Sequence, residues 1–288
     1  MKTLKLRLTT SFAVLAMLLI STSCDSTVVE KDEEPVLERP EVVEVEVAKI
    51  DQENNVSDTL NLDNGIVIRW FEHGEGESLD RGEVFYIDYR VQLEDGSIVD
   101  GNHLLKKDSI PFPIGFQMQG KGWDSAIAQL KVGDFVEFFL PSKLARGEKE
   151  IEGLIPANSN NIVKLRILSK MKPTRTVDGN KVWVFEESKK SKLKFDEEEM
   201  ITFHTITSSS SNPMYTNTFA KNQPFELRLE DYGTVPGLKK ALINAKSSDR
   251  MFIYVPSREA YGSKGYLDVV KPNEDLLYNV MVMDVVKK

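Results

Sequence analysis

Residue types that could do covalent chemistry are few and scattered in this chain. His73, His103 and His204 lie far apart, with no cysteine beside them to complete a metal set. The single cysteine, Cys24, leaves no intramolecular disulfide to form. Gly-x-Ser-x-Gly, phosphate-loop and dinucleotide fingerprints are all missing from the sequence. No metal and no cofactor are therefore expected. What recurs is a block of apolar, glycine and proline positions. It opens at Gly122-Trp123-Asp124-Ser125-Ala126-Ile127 and runs through Leu140-Pro141-Ser142-Lys143-Leu144-Ala145-Arg146-Gly147. Moved forward by 115 positions it meets itself without a gap: Gly122 on Gly237, Ala126 on Ala241, Lys131 on Lys246, Pro141-Ser142 on Pro256-Ser257, Ala145 on Ala260, Gly147 on Gly262. Ile127 meets Leu242, Phe138 meets Ile253, Leu140 meets Val255 and Ile155 meets Val270. Solenoid units are about 20–50 residues long, so a repeat of this length is a duplicated domain.

The elements that must carry these residues are mainly strands. Ile66 to Trp70 is a short strand. Glu83 to Leu93 alternates, with Phe85, Ile87, Tyr89 and Val91 on one face. Glu94-Asp95-Gly96-Ser97 carries the Asp-Gly hairpin signal. Trp123, Ile127 and Leu130 fall at helical spacing and predict one short amphipathic helix over 124–130, left at Gly133. Phe135 to Pro141 and Ile162 to Leu168 predict two further strands. One helix among antiparallel strands is an α+β architecture.

In this order, strand-Tyr89, Glu94-Asp95-Gly96, Val99-Asp100, Pro113-Ile114-Gly115, Gly122-Trp123, Val132-Gly133, Pro141…Ala145-Arg146-Gly147 and Leu154-Ile155-Pro156 resemble an FKBP-type peptidyl-prolyl isomerase. The resemblance covers about residues 62–170. It implies two FKBP-like domains, each a curved antiparallel sheet wrapped on one short helix, acting on X-Pro peptide bonds in an apolar pocket. Rotating an amide meets a barrier of about 18–20 kcal/mol, through a twisted state less polar than the planar one. A dry site favours that state without nucleophile, metal or cofactor. By the resemblance Trp123 forms the pocket floor. Tyr89, Val99, Ile110, Phe112, Ile155 and Val163 line it, and Asp100 accepts a hydrogen bond near Tyr89. Asp100 could equally cap a turn, and Trp123 is a core residue whatever else it does. This copy departs from the family at Val99, Ile110 and Val163, where an aromatic is usual. It also departs at Arg146, where the family has a tyrosine that would donate to the substrate. Gly120 keeps a backbone N–H that would hold the peptide but loses an apolar side chain.

In the second copy Gly179 lies 114 positions after Gly65. Carrying that offset places Phe203 opposite Tyr89; an alternative register puts Thr205 there. Phe225 matches Ile110, Leu227 matches Phe112, Val235 matches Gly120, Leu238 matches Trp123, Val270 matches Ile155 and Tyr278 matches Val163. Tyr261 restores the flap tyrosine. Asp100 has only Tyr215 or Thr216 opposite it. The implied catalytic set is thus Tyr89, Asp100, Trp123, Ile155 and Tyr261, split between two unequal copies.

Residues 1–23 read as an export signal. Lys2, Lys5 and Arg7 precede an apolar run to Ile20 that is too short to span a membrane. Ser21-Thr22-Ser23-Cys24 resembles a bacterial lipobox, implying lipidation of Cys24 and anchorage in the cell envelope, at the inner or the outer membrane. Residues 24–60 read as an acidic, disordered tether, 61–171 as the first domain and 178–288 as the second, with a linker of about ten residues. The chain has 37 bases and 45 acids; losing residues 1–23 removes three bases and no acids, for a mature net charge of −11. That balance excludes a nucleic-acid footprint. Proline-containing segments of exported proteins and the membrane are the expected partners of a monomer.

Overall fold

The computed structural model describes residues 55–287. The expected export signal, Cys24 and most of the expected tether lie outside the described residues. Two seven-stranded sheets follow one another along the chain.

The first contains β1 (Asp58–Asn61), β2 (Val67–Glu72), β3 (Val84–Gln92), β4 (Ile98–Gly101), β5 (Ile110–Pro113), β6 (Phe135–Leu140) and β7 (Asn161–Met171). Its order is β1-β2-β6-β7-β3-β4, with β5 also on β3. The alternation in β3 buries Phe85, Ile87, Tyr89 and Val91 against α1 (Lys121–Ile127). Residues 58–60 were expected in the tether. They instead form β1, whose backbone covers the otherwise open edge of β2 although every one of its side chains is exposed.

The second sheet contains β8 (Arg175–Val177), β9 (Asn180–Glu186), β10 (Glu199–Ser209), β11 (Thr216–Asn217), β12 (Phe225–Leu227), β13 (Arg250–Val255) and β14 (Leu276–Lys287). Its order is β11-β10-β14-β13-β9-β8, with β12 on β10 and α2 (Pro236–Leu242) packed on its concave face. Pro236 at the start of α2 has no N–H to leave unpaired there.

The duplicated block begins on glycine for a steric reason. A Cβ on Gly122 would lie 2.6 Å from the Leu144 carbonyl, and one on Gly237 would lie 2.4 Å from Asn180 Oδ1 and 2.5 Å from Val255 Cγ1. Each helix thus starts hard against its neighbouring strands and turns.

The expected linker is largely structured. β7 runs to Met171 and β8 begins at Arg175, leaving three residues between the sheets. The domains meet through a third apolar cluster of Val84, Phe116, Met118 and Met171 from the first and Trp183, Phe252 and Leu277 from the second. The Trp183 indole N–H donates to the Met171 carbonyl at 2.8 Å. Phe116 meets Tyr254 edge-on at 6.3 Å. Lys181 pairs with Glu83, Lys107 with Glu186 at 2.6 Å, and Gln117 Nε2 donates to the Ser210 carbonyl at 3.0 Å.

Candidate binding sites of the two domains

In the first domain β3, β5, β6 and α1 bring four aromatic rings together. Trp123, 4% exposed, sits on the buried face of α1 because that face alone opposes the sheet. Tyr89 meets it edge-on at 5.7 Å, Phe138 edge-on at 5.5 Å, and Phe112 stacks on it at 5.7 Å. Phe138 was not among the expected site residues; its signal was only the alternation of β6. Val99, Ile110, Ile155 and Val163 belong to the same buried cluster. The Tyr89 hydroxyl donates to Asp100 Oδ1 at 3.1 Å, and the Gly101 N–H donates to the same oxygen at 2.7 Å. Burial raises the Asp100 carboxyl, opposed by those two donors; burial, and then the Asp100 charge, hold the Tyr89 hydroxyl protonated. Asn102, also unforeseen, accepts the Tyr89 N–H at 2.7 Å and so fixes the strand beneath the ring.

Two positions bear on substrate holding. Gly120 was expected to offer its N–H, but that N–H donates to the Gln117 carbonyl at 3.0 Å. Gln117 can close this turn because it takes a left-handed φ of 53° while its own N–H donates to Asp124 Oδ2 at 2.9 Å. Arg146 lies on the flap turn, partly buried, and burial lowers its guanidinium.

Sheet register settles the correspondence in the second domain. Tyr89 pairs with Leu165 on β7, and Thr205 pairs with Val280 on β14, 115 positions later. Thr205 therefore stands where Tyr89 stands. Phe203, which the constant offset placed there, pairs with Phe225 as Ile87 pairs with Ile110. The spacing argument failed because the loops before β10 are two residues longer than those before β3. By the same register Asn217 faces Ile206 as Gly101 faces Arg90. Thr216 thus takes the place of Asp100, and Tyr215 that of Val99. Phe203 and Phe225 meet edge-on at 6.0 Å. Leu238, Val235, Val270 and Tyr278 are buried in one cluster, with Tyr215 and Tyr261 packed against it. Tyr261 stacks on Tyr266 at 4.7 Å. Among the described residues the Val235 N–H makes no backbone bond, unlike that of Gly120.

The flaps are built alike. Ile151 bridges Ile155 as Tyr266 bridges Val270, and the Asn158 N–H donates to Gly147 as the Asn273 N–H donates to Gly262. Ser209, Ser210 and Ser211 donate their hydroxyls to Glu274 at 2.8–3.0 Å. No cluster of metal-ligating side chains occurs among the described residues.

Comparison with known proteins places this architecture. The family model for FKBP-type peptidyl-prolyl cis-trans isomerase matches residues 75–167 and again 184–283. The chain is 28% identical over 108 residues to "Peptidyl-prolyl cis-trans isomerase Mip" of Coxiella burnetii, covering 38% of this chain and 46% of that protein. It is 23% identical over 196 residues to "Peptidyl-prolyl cis-trans isomerase FKBP10" of Mus musculus, covering 68% of this chain and 33% of that protein. The chain thus spans less than half the length of these relatives. A crystal structure of the three FKBP domains of wheat FKBP73 aligns with a TM-score of 0.39 at 21% identity, covering 78% of this chain and 97% of that one. With the family model met in both halves, the chain belongs to the FKBP-type peptidyl-prolyl cis-trans isomerase family and carries its domain twice.

Proposed function

We propose that this protein is a peptidyl-prolyl cis-trans isomerase acting on X-Pro bonds of exported proteins, held on a bacterial envelope membrane by lipid on Cys24. The observation that carries the reading is the first-domain box of Tyr89, Phe112, Trp123 and Phe138 closed by the Tyr89–Asp100 hydrogen bond. An apolar box favours the twisted amide over the planar one, since the planar amide loses more hydration on entry. A protease-coupled assay on X-Pro peptides tests it. The mature chain accelerates isomerisation and Trp123→Ala removes the first domain's share; an uncatalysed rate throughout overturns the proposal. Anchorage is tested apart, by Cys24→Ala, which releases the protein from membranes.

A second reading is a binding module in which catalysis is weak and the pockets hold extended segments. Two observations favour it: the Gly120 N–H is already bonded to Gln117, and Arg146 brings a partly buried charge to the flap. Peptide binding without rate enhancement selects this reading.

A further inference from the structure

Tyr215, Tyr261, Tyr278 and Thr205 of the second pocket carry neutral hydroxyls without a hydrogen-bond partner among the described residues. Tyr278 is 5% exposed, yet its hydroxyl has no hydrogen-bond partner among the described residues. That hydroxyl is not sealed from solvent, so it stays open to a ligand. Thr205 is 0% exposed, and its Oγ1 is buried and unbonded. Tyr215 and Tyr261 pack against the same cluster, also without a partner for their hydroxyls. The first pocket differs at the corresponding place, where Asp100 accepts the Tyr89 hydroxyl. Its replacement by Thr216, and of Tyr89 by Thr205, removes both carboxylate and internal bond.

Tyr215, Tyr261 and Tyr278 lie close enough to influence one another, with Tyr266 beside the first two, and burial keeps all three protonated. Phenols in that state can donate. Without a cation nearby, and in a chain of net charge −8, they do not repay the desolvation of a carboxylate. A neutral oxygen acceptor meets them at lower cost. Around the pocket Phe225 and Tyr266, with Leu267 next in the chain, are exposed, offering apolar contact to flanking residues.

We propose that the second domain binds an extended apolar peptide segment through a side chain carrying a neutral amide oxygen, of the asparagine or glutamine type, received by the hydroxyls of Tyr215, Tyr261, Tyr278 and Thr205. This rests on reading the second domain as a peptide pocket of the family and names the group it selects. The mature chain is labelled with 3-fluorotyrosine and observed by fluorine NMR. It is titrated with acetylated, amidated pentapeptides Leu-Val-X-Val-Leu, with X as Gln, Leu, Glu or Pro. The Gln peptide shifts the Tyr215, Tyr261 and Tyr278 resonances and binds roughly tenfold tighter than the Leu peptide, the worth of one or two neutral hydrogen bonds. Tyr278→Phe and, separately, Thr205→Val lower the Gln-peptide affinity toward that of the Leu peptide. Equal affinity for Gln and Leu, tighter binding of Glu, or discrimination surviving both substitutions overturns the inference. A Pro peptide that alone shifts the resonances also overturns it, while leaving the family reading of the pocket standing. If no peptide shifts them, that reading fails as well.

Discussion

Phe116 tests whether the two domains unfold as one body. Its ring is 0% exposed, lies edge-on to Tyr254 at 6.3 Å, and carries the Arg81 guanidinium 4.8 Å from its centroid. It belongs to neither domain's own core but to the cluster between them. Phe116→Ala therefore removes docking free energy and leaves each core packed. Truncating a buried phenylalanine costs about 3–5 kcal/mol. The ion pairs Lys107–Glu186 and Lys181–Glu83 remain, but partly exposed pairs contribute only about 0–1 kcal/mol each and do not compensate. A loss near 3 kcal/mol lowers the first unfolding midpoint by about 6–12 °C for a body of this size. Calorimetry and urea unfolding followed by tryptophan fluorescence check this, since Trp183 lies in the interface and Trp70 and Trp123 in the first core. The wild-type chain unfolds in one transition and the variant in two, with Trp183 reporting the earlier one. A single transition shifted by less than about 1 kcal/mol refutes the argument that this cluster joins the domains.

Arg146→Tyr restores a neutral flap donor to the first pocket; X-Pro turnover in the coupled assay rises about fivefold, one hydrogen bond's worth. Gly237→Ala drives a methyl into Asn180 and Val255 and destabilises by about 1–3 kcal/mol in urea, with Asn180→Ala in the same chain relieving part of it. Glu274 is held down to about 2: burial opposes this, and the three serine hydroxyls with the Lys271 N–H outweigh it. A depressed carboxylate adds stability that is present above its ordinary value of 4.5 and is lost as pH falls toward 2. Because the group is only partly buried, solvent screening reduces this to roughly 1 kcal/mol. Glu274→Gln flattens that acid limb of the stability curve while leaving stability below pH 2 unchanged.

Much of this could be read from residue order. The duplication, the short helix carrying Trp123 and the flap glycines follow from local rules, since period 3.6, period 2 and turn residues act within one element. The Asp100 partnership with Tyr89 followed from the family resemblance. Correspondence across loops did not follow. From Gly65 to Gly179 the offset is 114, from Tyr89 to Thr205 it is 116, and from Trp123 to Leu238 it is 115. Loops absorb insertions at little cost, so only the ladder between β10 and β14 decides that Thr205, not Phe203, takes the place of Tyr89.

The sequence by itself determined that there are two domains, of which class, and that the second lacks the tryptophan and the acid of the first. Tertiary structure alone decided three things. The Gly120 N–H is spent on Gln117, because a left-handed residue folds the segment back on itself. The linker is absorbed into a shared apolar cluster, because Phe116 and Trp183 have no place in either separate core. The hydroxyls of the second pocket stand unbonded, because the carboxylate that would have received one was replaced by Thr216 across a strand pair. The last two depend on groups distant in sequence meeting in space, which local pattern does not encode.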